Sequence, residues 1–129
     1  MGRALVSSTA PWEAAIGYSR AVRVGSQVYV AGTTGLDENG EVTGDARSQT
    51  MRALAIIRSA LAQAGARLSD VVRTRIFVTD IAQWEAIGRA HGEVFGDIRP
   101  ASSMVVVRRL LRPEMLVEIE ADAVIEEER

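Results

Sequence analysis

Three carboxylates, Glu118, Glu120 and Asp122, alternate with Val117, Ile119, Ala121 and Ala123 near the end of the chain. Successive side chains of a strand point to opposite faces, so this spacing sets the acids in one row and the apolar residues in another. A carboxylate held in such a row orients a water or accepts its proton. The same row beside arginines of a neighbouring strand makes structural ion pairs. The remaining inventory narrows the chemistry. The chain has no cysteine, which removes thiol nucleophiles, disulfides and thiolate metal sites. All 15 basic residues are arginine, so no side-chain amine is present to form a Schiff base. His91 is the one histidine, and a Ser-His-Asp triad or a zinc site would have to use it. No metal or cofactor is expected. Carboxylates, hydroxyls, tyrosines, arginines and backbone groups suit binding a small molecule or placing a water better than covalent catalysis.

The elements that must position these groups are legible as periodicities. Ala21–Val24 and Gln27–Ala31 flank Gly25-Ser26, a two-residue Gly-X turn, and predict a β-hairpin. Asp37-Glu38-Asn39-Gly40 signals a second turn. Asp45 to Ala64 predicts a helix with Ala53, Ile56, Ile57, Ala60, Leu61 and Ala64 in one stripe, and Gly65 stops it. Val71 to Val78 predicts a strand with Val72, Thr74, Ile76 and Val78 on one face and Arg73 and Arg75 on the other. Asp80 is placed to cap a second helix running to about Phe95. Trp84, Ile87, Gly88, His91 and Phe95 share that helix's inward face, so Trp84 and Phe95 read as core and His91 as a satisfied core or interface histidine. Ser103–Arg108 and Leu116–Val124 predict two more strands, with a turn at Arg112-Pro113-Glu114. The order is β-β-α-β-α-β-β, an α+β fold with two helices on one face of a mixed sheet. The acidic row falls on the other face, with Arg73 and Arg75 as cross-strand neighbours. That face is either open to water or turned inward in an oligomer.

The 129 residues fit a single domain, 1–129, and 47% hydrophobic residues are enough for a core. A net charge of -2 argues against nucleic acid or an anionic membrane as partner. No apolar run approaches a membrane span, and Met1 to Pro11 does not read as a signal peptide, so a cytoplasmic location is expected. The charge run Glu126 to Arg129 is expected to fray.

Gly17-Tyr18-Ser19-Arg20-Ala21-Val22 followed by Val28-Tyr29-Val30-Ala31-Gly32 resembles the start of the RidA/YjgF family, also called L-PSP endoribonuclease. Arg75-Ile76-Phe77-Val78-Thr79-Asp80 resembles its third strand. Arg99-Pro100-Ala101-Ser102-Ser103-Met104-Val105, closing with Val117-Glu118-Ile119-Glu120-Ala121, resembles its signature. The resemblance spans about Gly17 to Val124. It implies a chorismate-mutase-like fold of the bacillus type, a homotrimer whose sheets form a central barrel, and small-molecule clefts between subunits. It also implies hydrolysis of enamines and imines, with an arginine on the substrate carboxylate, a glutamate placing a water and a tyrosine shaping the pocket. Carried over by position, the tyrosine is Tyr18 and the glutamate Glu120. The arginine falls on Ser102, the family's serine before the strand glycine on Ala31, its helix-2 asparagine on Gly88, and its frequent cysteine on Met104. Gly32 either allows a close approach of backbone or ligand or marks a bulge.

Loss of the arginine matters, because a guanidinium–carboxylate pair in a partly buried site contributes on the order of 1.5–3 kcal/mol and fixes orientation. Arg108 lies about 20 Å along an extended strand from Ser102 and is not expected to substitute. Arg20 or Arg23, beside Tyr18, is the better candidate. The reading that follows is a trimer binding a small metabolite between subunits. It is expected to hydrolyse an imine, enamine or related compound with a Glu120-placed water, and not to be a standard 2-imino acid deaminase. The alternative is a non-catalytic metabolite-binding or regulatory trimer. A ribonuclease is disfavoured by the acidic charge.

Overall fold

A computed structural model describes residues 2–126, so the tail residues 127–129 of the expected fraying segment lie outside the described residues. The predicted hairpin forms from β2 (Ala21–Val24) and β3 (Gln27–Thr33), with Val24 opposite Gln27 and Gly25 at φ 61° in the left-handed region the turn demands. A strand not anticipated from the sequence, β1 (Arg3–Val6), pairs antiparallel with β2. Helix α1 (Ala46–Gln63) is capped by Asp45, whose side chain accepts from the Ser48 N–H at 2.9 Å, and it ends at Gly65 with φ 86°. Strand β4 (Val71–Val78) matches the predicted bounds. Helix α2 (Trp84–Phe95) follows one 3-10 turn, Ile81–Gln83, capped by Asp80. Strands β5 (Ala101–Val106) and β6 (Val117–Val124) complete a 6-stranded sheet in the order β1-β2-β3-β6-β4-β5. Neighbours are antiparallel except β4 and β5, whose parallel pairing is bridged by α2.

Both helices lie on one face of the sheet. The core between them holds Leu54, Ile57 and Leu61 of α1, Ile87 and Phe95 of α2, and Val117, Ile119, Ala121 and Ala123 of β6, all buried. Two core expectations fail. Trp84 is 54% exposed: it is the first residue of α2, and the buried stripe of that helix runs through Ile87, Ala90 and Phe95. Val72 is exposed and Val71 buried, because a register irregularity between Val71 and Arg73 shifts the start of β4.

The opposite face carries Tyr29, Arg75, Val105, Glu118, Glu120 and Asp122, and no element of the described chain covers it. Arg75 lies across from Glu120 in the register and makes ion pairs with Glu120 at 3.5 Å and Asp122 at 3.2 Å. Among the described residues no helix is long and apolar enough to cross a membrane. Loop 107–116 is tied to α1 by buried Gln49, which donates to the carbonyls of Gly44 and Glu114 and accepts from the Leu116 N–H.

Candidate functional site

A cleft of about 870 Å³ opens where the segment before β2, the end of β3, loop 107–116 and the start of β6 converge. Its floor is built from the N-terminal side. Buried Glu13 opens a short π-helical turn, Glu13–Gly17, and accepts from both the backbone N–H and the hydroxyl of Ser8. The turn closes when the Tyr18 N–H donates to the Glu13 carbonyl at 2.9 Å. Tyr18 is thereby delivered to the cleft wall beside Arg20. Arg20 is buried and both terminal nitrogens of its guanidinium are hydrogen-bonded. It donates to the Gly32 carbonyl and the Thr33 hydroxyl at 2.9 Å each and to the Tyr18 hydroxyl at 3.3 Å. Its Nε lies 3.3 Å from Glu13 Oε2, an ion pair without hydrogen-bond alignment. Arg20 therefore braces the cleft wall, with Nη1 committed to Gly32 and Thr33. Arg23 is engaged elsewhere, with the carbonyls of Gly25 and Ala64.

Ala31 and Gly32 line the same cleft at an irregularity in β3, where Val30 opposes Ala121 but Thr33 opposes Ile119. The inserted residue brings the glycine against a carboxylate of β6. That carboxylate belongs to Glu118. A Cβ built on Gly32 would sit 2.9 Å from Glu118 Cδ and closer still to Oε2. Burial pushes the Glu118 carboxyl up from its ordinary value, the neighbouring Glu120 charge pushes the same way, and Arg20 pulls it back down. Glu120 does not line the cleft in this chain; it is the partner of Arg75. Glu118 and Glu120 share a face and differ by one pleat, and only the pairing register selects the one beside Tyr18 and Gly32. The sequence reading gave Glu120 the water-placing role; within one chain the carboxylate beside Tyr18 and Gly32 is that of Glu118.

The rest of the wall is largely apolar, with Trp12, Ile16, Leu36, Ile56 and Leu111, so the partly inward Ile56 of the α1 stripe serves the cleft. Arg109 also lines it, exposed and without a hydrogen bond or ion pair among the described residues. Sequence reasoning gave Arg109 no role. The turn at Arg112-Pro113-Glu114, just beyond it, was the available signal that this loop folds back.

Ser102 and Gly88 do not join Tyr18 within one chain. Ser102 sits on the edge strand β5 opposite Thr74 and turns to the helix side of the sheet. The buried Thr74 hydroxyl donates to Ser102 Oγ at 2.7 Å and lies 2.9 Å from His91 Nε2. His91 stacks on Phe95 with ring centroids 4.7 Å apart, and burial pushes its pKa down, which keeps the ring neutral at pH 7. Gly88 lies one turn before His91, and a Cβ built there meets nothing within 4 Å. The structure thus holds two polar clusters: Tyr18, Arg20, Gly32 and Glu118 at the β3–β6 junction, and Ser102, Thr74 and His91 at the β5 edge.

Residues 8–125 match the family described as Endoribonuclease L-PSP. The chain is 40% identical over 104 residues to the 3-aminoacrylate deaminase RutC of Acinetobacter baylyi, covering 79% of this chain and 82% of that protein. It is 37% identical over 111 residues to a 2-iminobutanoate/2-iminopropanoate deaminase of Dermatophagoides farinae, covering 84% and 86% of the two chains. A crystal structure from Mycobacterium tuberculosis, described as a member of the highly conserved YjgF/YER057c/UK114 family, superposes with a TM-score of 0.89 at 54% identity, over 96% of this chain and 100% of that one.

Proposed function

The chain belongs to the Endoribonuclease L-PSP family, the RidA/YjgF family of the resemblance above, and from that premise we propose that its cleft hydrolyses the C=N bond of a small imine or enamine metabolite with a water placed by Glu118. The observation that carries this reading is the half-buried Glu118 carboxylate, set against Gly32 beside Tyr18 and Arg20. Two relatives named as deaminases of such compounds support the class of reaction. A water on Glu118 would add to the imine carbon as its proton passes to the carboxylate. The carboxylic acid would return the proton to nitrogen to give a carbinolamine, whose hydroxyl proton would then pass by way of the same carboxylate to the leaving nitrogen as the C–N bond breaks and the C=O bond forms, giving a carbonyl compound and ammonia. Burial raises the Glu118 pKa, which makes the carboxylate a better proton acceptor than an exposed one in the first half of this transfer. The Tyr18 hydroxyl, fixed by Arg20, gives the cleft a placed polar group for orientation.

The clefts of this reading lie between three copies of the chain. The uncovered sheet face supports this: it mixes exposed Tyr29 and Val105 with the Arg75, Glu120 and Asp122 ion pairs, a pattern suited to packing sheet against sheet. Light scattering checks it, with a trimer expected and a monomer refuting it. A cysteine-free chain fits a cytoplasmic location.

The activity test uses short-lived imino acids generated by an amino-acid oxidase and trapped by semicarbazide. The protein is expected to lower the trapped yield. Glu118→Gln is expected to abolish the effect, while Glu120→Gln keeps most of it. Equal loss in both variants would refute the assignment. The second reading, a trimer that binds a metabolite without turning it over, is favoured by Ser102, which places no cation where the resemblance implies one. Binding without acceleration in the same assay would establish it.

A further inference from the structure

We infer that Glu13 is a positioning residue for the proposed hydrolysis: it holds Arg20 against the Gly32 wall and offsets the positive charge that Arg20 turns toward Glu118. Glu13 is a buried carboxylate that the proposed reaction does not use. Ser8 aims it: the Ser8 backbone N–H donates to Oε1 at 3.0 Å and the hydroxyl donates to Oε2. Oε2 faces Arg20 Nε at 3.3 Å. Nε has no hydrogen-bond partner among the described residues, so this contact is one of charge and not of alignment. The Arg20 and Glu13 side chains are only 6% and 8% exposed, so water does little to screen the pair. A cation buried this deeply needs a counter-ion, and Glu13 supplies it.

Arg20 carries the effect of Glu13 into the cleft by two routes. The first is geometric. Nη1 donates to the Gly32 carbonyl and the Thr33 hydroxyl, and the Thr33 hydroxyl donates to the Ala31 carbonyl at 2.7 Å. The Ala31 N–H donates to the Arg20 carbonyl at 2.9 Å. Arg20 thus grips the β3 irregularity with both backbone and side chain, and Glu118 packs on Gly32 at that irregularity. The second route is electrostatic. Arg20 pulls the Glu118 pKa down against the burial that raises it. Paired with Glu13, the guanidinium is half of a neutral couple and its pull is reduced. Without Glu13 its full charge faces Glu118.

The other charged and titratable groups around Glu118 are placed differently. Glu120 pairs with Arg75, Tyr18 is tied to Arg20, and Asp37 accepts from the N–H groups of Asn39 and Glu41. Glu38 and Arg109 are exposed on the outer walls of the cleft. Arg20 is the buried cation of the set. The inference rests on the reading of Glu118 as the water-placing group.

The test has two readouts on the whole protein. One is the pH dependence of kcat/KM in the semicarbazide assay. The other needs no turnover: it is the carbon-13 titration of the Glu118 carboxyl, the signal that disappears in Glu118→Gln. Glu13→Gln keeps the size of the side chain and leaves Arg20 without its counter-charge. It is expected to move the acid limb of kcat/KM and the Glu118 titration about one pH unit lower. Glu13→Asp keeps the charge on a side chain one methylene shorter and is expected to move both about half as far in the same direction. If Glu13→Gln does not fold, Glu13→Asp carries the test alone. Midpoints that stay in place or move higher in the folded variants overturn the inference, because a merely structural ion pair would change stability and leave them where they are. A Glu118 signal that moves while the acid limb stays overturns Glu118 as the base and leaves the link from Glu13 to Glu118 standing.

Discussion

Replacing Gly32 by alanine tests whether the position of the Glu118 carboxylate, and not merely its presence, makes the site. Gly32 is not among the glycines with positive φ, so the backbone accepts an alanine without strain. The added Cβ would stand 2.9 Å from Glu118 Cδ and 3.3 Å from Cγ. Relaxed carbon–carbon contacts lie at about 3.5–4.0 Å, so the carboxyl group must retreat by about 1 Å. The yielding group is the end of a flexible side chain, so the fold is little disturbed. The loss of glycine's freedom in the unfolded chain adds about 0.4–1 kcal/mol of stability. Catalysis responds differently, because a displacement of about 1 Å at a reacting group costs on the order of 100-fold, or about 2.7 kcal/mol of transition-state stabilisation. The expected result is a variant that melts within a few degrees of wild type and whose kcat/KM in the semicarbazide competition assay falls about 100-fold. A folded Gly32→Ala protein with wild-type kcat/KM would show that Glu118 is not the water-placing carboxylate.

Three further outcomes follow from the same geometry. The folded-state pKa of Glu118 is raised, so its contribution to stability is complete below about pH 4.5, its ordinary value, and is lost as pH rises through the folded value. Glu118→Gln is therefore expected to melt higher than wild type at pH 7, with the difference vanishing near pH 4; a lower melting temperature at pH 7 contradicts it. His91 behaves in the opposite sense: its folded pKa is lowered, so its contribution is present above about pH 6.5 and is lost as pH falls toward the folded value. Denaturation midpoints of wild type should drop over that window relative to His91→Gln, and parallel curves would count against burial of a neutral ring. Gln49→Leu leaves the Leu116 N–H and two carbonyls without their partner and should destabilise by about 3 kcal/mol in urea titration, with loop 107–116 losing hydrogen-exchange protection first. A change under 1 kcal/mol would mean that water replaces the tether.

The elements with strong local signals were legible in the sequence. The Gly25-Ser26 hairpin, the Asp45-capped helix and the Val71–Val78 strand each follow from a few adjacent residues and form as expected. What failed depended on phase or register, which local residue types do not fix. Trp84 was assigned to the core as the first member of the α2 stripe, but at the helix's opening position it stands 54% exposed. Gly32 could be read as the mark of a bulge, and β3 does carry an extra residue between Val30 and Thr33, but which carboxylate of β6 that bulge would meet depends on register. Arg20 sits where the sequence reading placed it, beside Tyr18, but its partners Glu13, Gly32 and Thr33 come from three segments that only folding brings together.

The two polar clusters bear on how the chain must assemble to act. The strand order is β1-β2-β3-β6-β4-β5, so the Glu118 cleft lies at the β3–β6 junction and Ser102 lies on the outer strand beyond β4. Ser102 turns to the helix side, while Glu118 belongs to the acidic row on the other side. No side-chain rotation within one chain brings them onto one ligand. In the proposed trimer the β5 edge of one copy would meet the β3–β6 junction of the next, each interface joining two different surfaces so that the same contact repeats until the ring shuts. Each cleft then takes Tyr18, Gly32 and Glu118 from one copy and Ser102 from its neighbour. On this arrangement a monomeric variant that stays folded is expected to keep the internal Thr74–His91 contact yet lose turnover in the semicarbazide assay, because the two halves of the site have been separated and neither has been damaged.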